Sequence, residues 1–178
     1  MAEVMQPLAR VGRVLSISRS DELCRRIGIG ANVIDEADFP EHSMLSLRFP
    51  DQQYDFVASD QVLEHIAGNP FDAVKESFRV LKPGGIAVHT TCLIQPIHNY
   101  PTDMWRFTPD ALGLLCQPHA EVIETGGSGH PVQWLVIGLG LRFEPVPDAR
   151  GNLLHRLAMA NHPNWPISTW VVARKRMS

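Results

Sequence analysis

A chain of 178 residues, 44% hydrophobic and 20% charged, has the length and composition of one soluble domain over residues 1–178 with a core of its own. Its 16 basic and 19 acidic residues leave a net charge of −3 and no basic stripe, which argues against a nucleic-acid partner and excludes a polybasic membrane anchor. No apolar run approaches the roughly 20 residues of a membrane span, the first residues lack the pattern of a signal peptide, and Cys24, Cys92 and Cys116 form no C-x-x-C pair. A cytoplasmic protein with reduced thiols is expected.

Val11 to Ile17 reads as a buried strand, and Ser20 followed by Asp21 and Glu22 reads as the start of a helix that Gly28 stops. Asn32 to Asp35 is the next short apolar run, ending in Asp35, Glu36 and Asp38. Met44 to Leu47 is a brief extension, and Tyr54 to Ser59 a clear strand. Val62 to His65 can begin a helix that Gly68, Asn69 and Pro70 interrupt. Phe71, Val74, Phe78 and Leu81 fall on one face of a helix, which Pro83 and two glycines end before the strand Ile86 to Thr91. Alternation of this kind predicts an α/β fold, a mostly parallel sheet with helices on both faces.

The second half differs. Leu93 to Pro109 packs three prolines, three aromatics, a His, an Asp and an Arg into 17 residues without any period, the profile of a functional loop. Thr108 then caps a helix with Pro109 at its first position. Ala120 to Thr125 reads as a strand, Val132 to Leu141 as helix or strand, Asn152 to Ala160 as a helix, and Ser168 to Ala173 as a closing strand.

Three blocks, LRFPDQQYD (Leu47 to Asp55), YDFVASDQVLEHI (Tyr54 to Ile66) and FRVLKPGGIAVHTT (Phe78 to Thr91), resemble the class I S-adenosylmethionine-dependent methyltransferases, in particular the small-molecule, type 11-like branch. They span about 45 contiguous residues. The resemblance implies a Rossmann-like, seven-stranded sheet and methyl transfer from S-adenosylmethionine to a small-molecule acceptor. It places Ser16, Ser18 and Ser20 where the family has an acid and two glycines, and Asp35 or Glu36 at the ribose-binding carboxylate. It also places Ser46 and Leu47 beside the adenine, and Ser59, Asp60 and Gln61 along the reacting methyl. About ten residues precede the first strand, so the N-terminal helices that cover the cofactor in the family are expected to be missing. The alternative is a methyltransferase-like protein that has lost the cofactor and acts as a binding or assembly partner. A homo-oligomer or a partner subunit fits either reading.

Methyl transfer from a sulfonium needs an aligned nucleophile and, for a hydroxyl acceptor, a base. His98 is the first candidate base and His65 the second, while Tyr100, Asp103, Trp105 and Arg106 are candidates for holding the acceptor. Phe107 is a candidate wall or a core residue, and Arg106 could equally pair with Asp103 or Asp110. His89, His98 and Asp103 match no metal-ligand spacing, and no metal is expected. There is no G-x-S-x-G elbow to suggest a hydrolase.

Overall fold

The structure, a computed structural model, describes every residue except 7, 9, 10, 100, 142–144 and 178. Strands β1 (Val11–Ile17), β2 (Gly30–Ala37), β3 (Tyr54–Asp60), β4 (Leu81–Cys92), β5 (Ala120–Ser128) and β6 (Ser168–Lys175) form one sheet in the order β2-β1-β3-β4-β6-β5. The first four are parallel, and β6 and β5 are antiparallel to their neighbours. Sequence order reverses between β1 and β3, and ligands of open α/β sheets gather at the carboxyl ends of the strands flanking such a switch.

The helices follow from local signals. Helix α1 is Ala2–Met5 and α2 is Asp21–Arg26. In α3 (Pro70–Val80) the Asn69 side chain accepts from Phe71 N at 3.1 Å, and in α4 (Pro109–Cys116) the Thr108 hydroxyl accepts from Ala111 N at 3.2 Å. Both start with proline, whose missing N–H costs nothing in a first turn. Ala73, Val74 and Phe78 of α3 and Leu112 and Leu115 of α4 pack with Leu15, Val57 and Ala87 on one face of the sheet. Met5, Leu23 and Cys24 pack with Val14, Phe56 and Val88 on the other. The remaining helices, α5 (Pro131–Gly138) and α6 (Leu153–Met159), have no buried residue among those described. No helix of the described residues is long and apolar enough to cross a membrane.

Among the described residues the sheet has six strands, not the seven expected. The extension expected at Met44 to Leu47 forms only an isolated bridge between Ser43 and Ser46. Side chains of α3 take the polar groups that a strand would offer to β2. Leu47 N donates to Glu76 Oε2 at 3.1 Å, and Arg79 Nη2 donates to Leu47 O at 2.8 Å. With both backbone groups of Leu47 bound to the helix, the segment folds under the sheet instead of extending it, and β2 keeps an exposed edge carrying Val33 and Ile34.

Strand β5 continues past Thr125, the end expected from the sequence, to Ser128. Gly126 and Gly127 belong to β5. A Cβ on Gly126 would lie 2.5 Å from the Trp170 ring, so glycine is there to let the indole cross the neighbouring strand.

Candidate functional site

A cavity of about 440 Å³ opens at the carboxyl ends of β1, β2 and β3. Ser18, Ala37, Phe39, Met44 and Leu45 line one side of it, and Asp60, Gln61 and His65 the other. A smaller recess of about 200 Å³, formed by Ser18, Arg19, Asp38 and Phe39, shares two residues with it.

The turn after β1 explains how the cavity stays open without glycine. Ser18 and Arg19 both have φ of 57°, the left-handed conformation that glycine adopts most easily. The three serines differ in direction. Ser16 is buried, on the sheet face of Val14, and Ser20 is buried as well. The Ser20 hydroxyl donates to Ile17 O at 2.5 Å and accepts from Asp60 N at 2.7 Å, tying the turn to the end of β3. Only Ser18 contributes to the cavity wall.

Pairing register decides which acid stands at the end of β2. Leu15 is opposite Asp35, Ser16 opposite Glu36 and Ile17 opposite Ala37, and Ser18 N donates to Ala37 O at 3.2 Å. Asp35 therefore lies short of the strand end, where Arg13 Nε donates to it at 2.8 Å, and it does not line the cavity. Glu36 lies beside Ser16, and burial pushes its carboxyl up against the opposing pull of that hydroxyl. The acid that emerges next to the turn is Asp38, with Oδ1 buried and no hydrogen-bond partner to it, and Oδ2 3.4 Å from Arg19 Nε. The sequence shows three acids within four residues, and only the strand register separates them.

Other expected positions scatter. Ser46 and Leu47 are outside the cavity, held by the turn and by α3 as above. Ser59 is buried beneath it, its hydroxyl 2.8 Å from His89 Nδ1. The Ser77 hydroxyl donates to Val74 O at 2.7 Å and so accepts from His89 Nε2 at 3.1 Å. His89 Nδ1 is then the acceptor for Ser59, and burial lowers the His89 pKa to about 4. The neutral imidazole is a pin beneath the strand ends. Asp60 and Gln61 reach the cavity, and both engage Thr90 of β4: its hydroxyl donates to Asp60 Oδ1, and Gln61 N donates to its carbonyl at 3.1 Å.

The loop after β4 is folded by its own charges. Arg106 grips the carboxylate of Asp103, which is 2% exposed, and donates to Gln95 O at 3.3 Å. The guanidinium, helped by the His98 backbone N–H at 3.1 Å, holds the Asp103 carboxyl far below its usual range. Arg106 is thus engaged within the loop and is no free anchor for an acidic acceptor. Trp105 Nε1 donates to Ile66 O at 2.8 Å, and its ring stacks on that of buried Phe107. The rings of His65 and His98 meet edge to face, 4.9 Å between centroids. His65 Nδ1 donates to Thr102 O at 3.2 Å, leaving Nε2 as the basic nitrogen. Tyr100 lies outside the described residues.

Glu64 was not singled out by the sequence. It is fully buried, with Oε2 accepting from the Thr91 hydroxyl at 2.8 Å, while its carbonyl accepts from Met104 N and Trp105 N at 2.7 and 3.0 Å. The segment Val62 to His65, expected to begin a helix, is a 3-10 turn over Leu63–His65 that turns this side chain inward. A lone acid between Leu63 and Ile66 was the available signal.

Residues 2–89 match the family model described as "Methyltransferase domain". This match and the fold support a class I methyltransferase family. A chain of the Haloferax volcanii complex between the Trm112 methyltransferase activator and a methyltransferase superposes with a TM-score of 0.67 at 16% identity, over 99% of this chain and 87% of that one. The [4+2]-cyclase SpnF gives 0.62 at 17% identity, over 99% and 80%. Phosphoethanolamine N-methyltransferase 2 of Haemonchus contortus, in complex with S-adenosyl-L-methionine, gives 0.61 at 14% identity, over 97% of this chain and 50% of that one. No curated protein matches the chain by sequence. At such identities the likeness concerns the fold, and a cyclase among the similar structures illustrates that this fold serves more than one reaction.

Proposed function

We propose that the chain binds S-adenosylmethionine in the cavity at the ends of β1, β2 and β3 and transfers its methyl group to a small-molecule acceptor held under the 93–107 loop. The turn after β1 carries this reading: Ser18 and Arg19 keep the left-handed path of a glycine turn although no glycine is present. Asp38 would accept from the ribose hydroxyls, Phe39, Met44 and Leu45 would flank the adenine, and Asp60 and Gln61 would border the sulfonium. His65, which lines the cavity, is the base available to an acceptor hydroxyl, its ring meeting that of His98 edge to face.

The competing reading, a binding or assembly partner without cofactor, draws on Asp21 and Glu22. These acids stand in the first turn of α2, where their charge would oppose the carboxylate of the cofactor's methionine part, although Arg25 and Arg26 pair with them. Calorimetric titration with S-adenosylhomocysteine separates the two. Binding is expected, and Asp38→Ala should weaken it about tenfold, a loss of roughly 1.4 kcal/mol, while Asp35→Ala leaves it unchanged. Absence of heat and of any thermal shift at millimolar ligand would overturn the methyltransferase reading.

A further inference from the structure

Three side chains with metal-binding atoms converge on the acceptor side of the strand ends. Glu64 comes from the 3-10 turn after β3, Cys92 is the last residue of β4, and His98 lies in the loop beyond. A carboxylate oxygen, the thiol sulfur and an imidazole nitrogen all lie within 4.8 Å of one another. The sequence spacing of the three matches no short metal-ligand signature, because three separate segments deliver them.

The cluster holds an unmet demand. Glu64 is 0% exposed, and Oε1 has no hydrogen-bond partner, although Oε2 is satisfied by Thr91. A carboxylate oxygen buried in this way is costly unless a cation or a donor answers it. Arg106 acts on Glu64 only through its field, since its hydrogen bonds go to Asp103 and to the carbonyls of Gln95 and Trp105. His98 Nδ1 lies 3.3 Å from Pro96 O, an acceptor, so Nδ1 carries the proton and Nε2 is left to ligate. Its Nδ1 lies 3.2 Å from Asp103 Oδ2, and Asp103 is fixed in turn by Arg106. A carboxylate behind an imidazole sets its tautomer and raises the basicity of the other nitrogen.

We propose that Glu64, Cys92 and His98 form a three-ligand site for a zinc ion. One carboxylate, one thiolate and one imidazole suit zinc, whereas magnesium and calcium prefer oxygen ligands. Ligand atoms around a tetrahedral zinc are spaced about 3.3 to 3.9 Å apart, so the site closes with a shift of about 1 Å. His98, whose side chain is 36% exposed on its loop, can supply that shift and the route of entry. Cys92 loses its thiol proton to solvent when the ion binds. The site does not depend on the cofactor reading, and its test uses neither cofactor nor acceptor.

Cobalt(II) is the probe, because a thiolate ligand gives it a near-ultraviolet charge-transfer band. The full chain, stripped with a chelator, should develop this band with one equivalent of cobalt, and zinc should displace it. Cys92→Ser should abolish the band, and His98→Ala and Glu64→Gln should each weaken zinc binding at least tenfold, whereas His155→Ala should not change it. Thermal melts establish that each variant is folded. If Cys92→Ser does not fold, His98→Ala decides, since its loop position leaves the core intact. No band in the folded wild-type chain, a band that survives Cys92→Ser, or zinc affinity indifferent to His98→Ala would overturn the proposal.

Discussion

The two loops that border the site are built in opposite ways. The turn after β1 is short and set by its backbone: two left-handed residues, a buried serine bridging two strand ends, and only Ser18 on the cavity wall. The loop after β4 is long and set by its side chains, with Asp103 and Arg106 at its centre and Trp105 fastened to Ile66. A left-handed turn can be held without glycine, whereas a side-chain network is lost with one residue.

The largest effect should come from the network. Arg106→Ala leaves the Asp103 carboxylate, 2% exposed, without its counter-charge. A loss of about 3 kcal/mol in urea-unfolding stability is expected, toward the lower end for a broken buried pair because Arg106 is itself partly exposed. The 93–107 loop should become protease-sensitive in the same variant. A loss below about 0.5 kcal/mol would show that aromatic packing, not charge, folds the loop.

The next effect tests whether both loops ride on a common base, the Ser59–His89–Ser77 pin under β3 and β4. The unfolded imidazole takes up a proton near pH 6.5, while the buried one resists it until about pH 4. Within that window the unfolded state binds more protons, so stability falls as pH falls, by about 2 kcal/mol at pH 5 from this group alone. Urea midpoints measured from pH 7 to 5 should show this loss, and His89→Gln should flatten it. An unchanged slope in the variant would assign the acid sensitivity elsewhere.

Legibility in the sequence follows the same division. Elements defined by local signals are where they were expected: the Tyr54 strand, the helix from residue 70, the Thr108–Pro109 cap and the aromatic loop. Among the described residues no strand forms at Met44 to Leu47, where Glu76 and Arg79, about 30 positions away, take the backbone groups of Leu47. The choice among Asp35, Glu36 and Asp38 turns on β1–β2 register, and Glu64 became visible only once the 3-10 turn aimed it inward. Such facts belong to pairs of distant segments and leave no local pattern.

The smallest effect bears on the backbone side of the comparison. Ser18 holds a left-handed conformation that costs a non-glycine residue roughly 1–2 kcal/mol, and glycine returns part of that gain through the greater freedom of the unfolded chain. Ser18→Gly is therefore expected to stabilise the protein by about 0.5–1 kcal/mol. It also removes a hydroxyl from the cavity wall, so S-adenosylhomocysteine should bind at least as tightly as to the wild type. Ser18→Ala keeps the strained φ while removing the hydroxyl, and should give none of the stability gain. If glycine and alanine behave alike, the hydroxyl and not the backbone is what matters at this turn, and the contrast between the two loops fails at its simplest point.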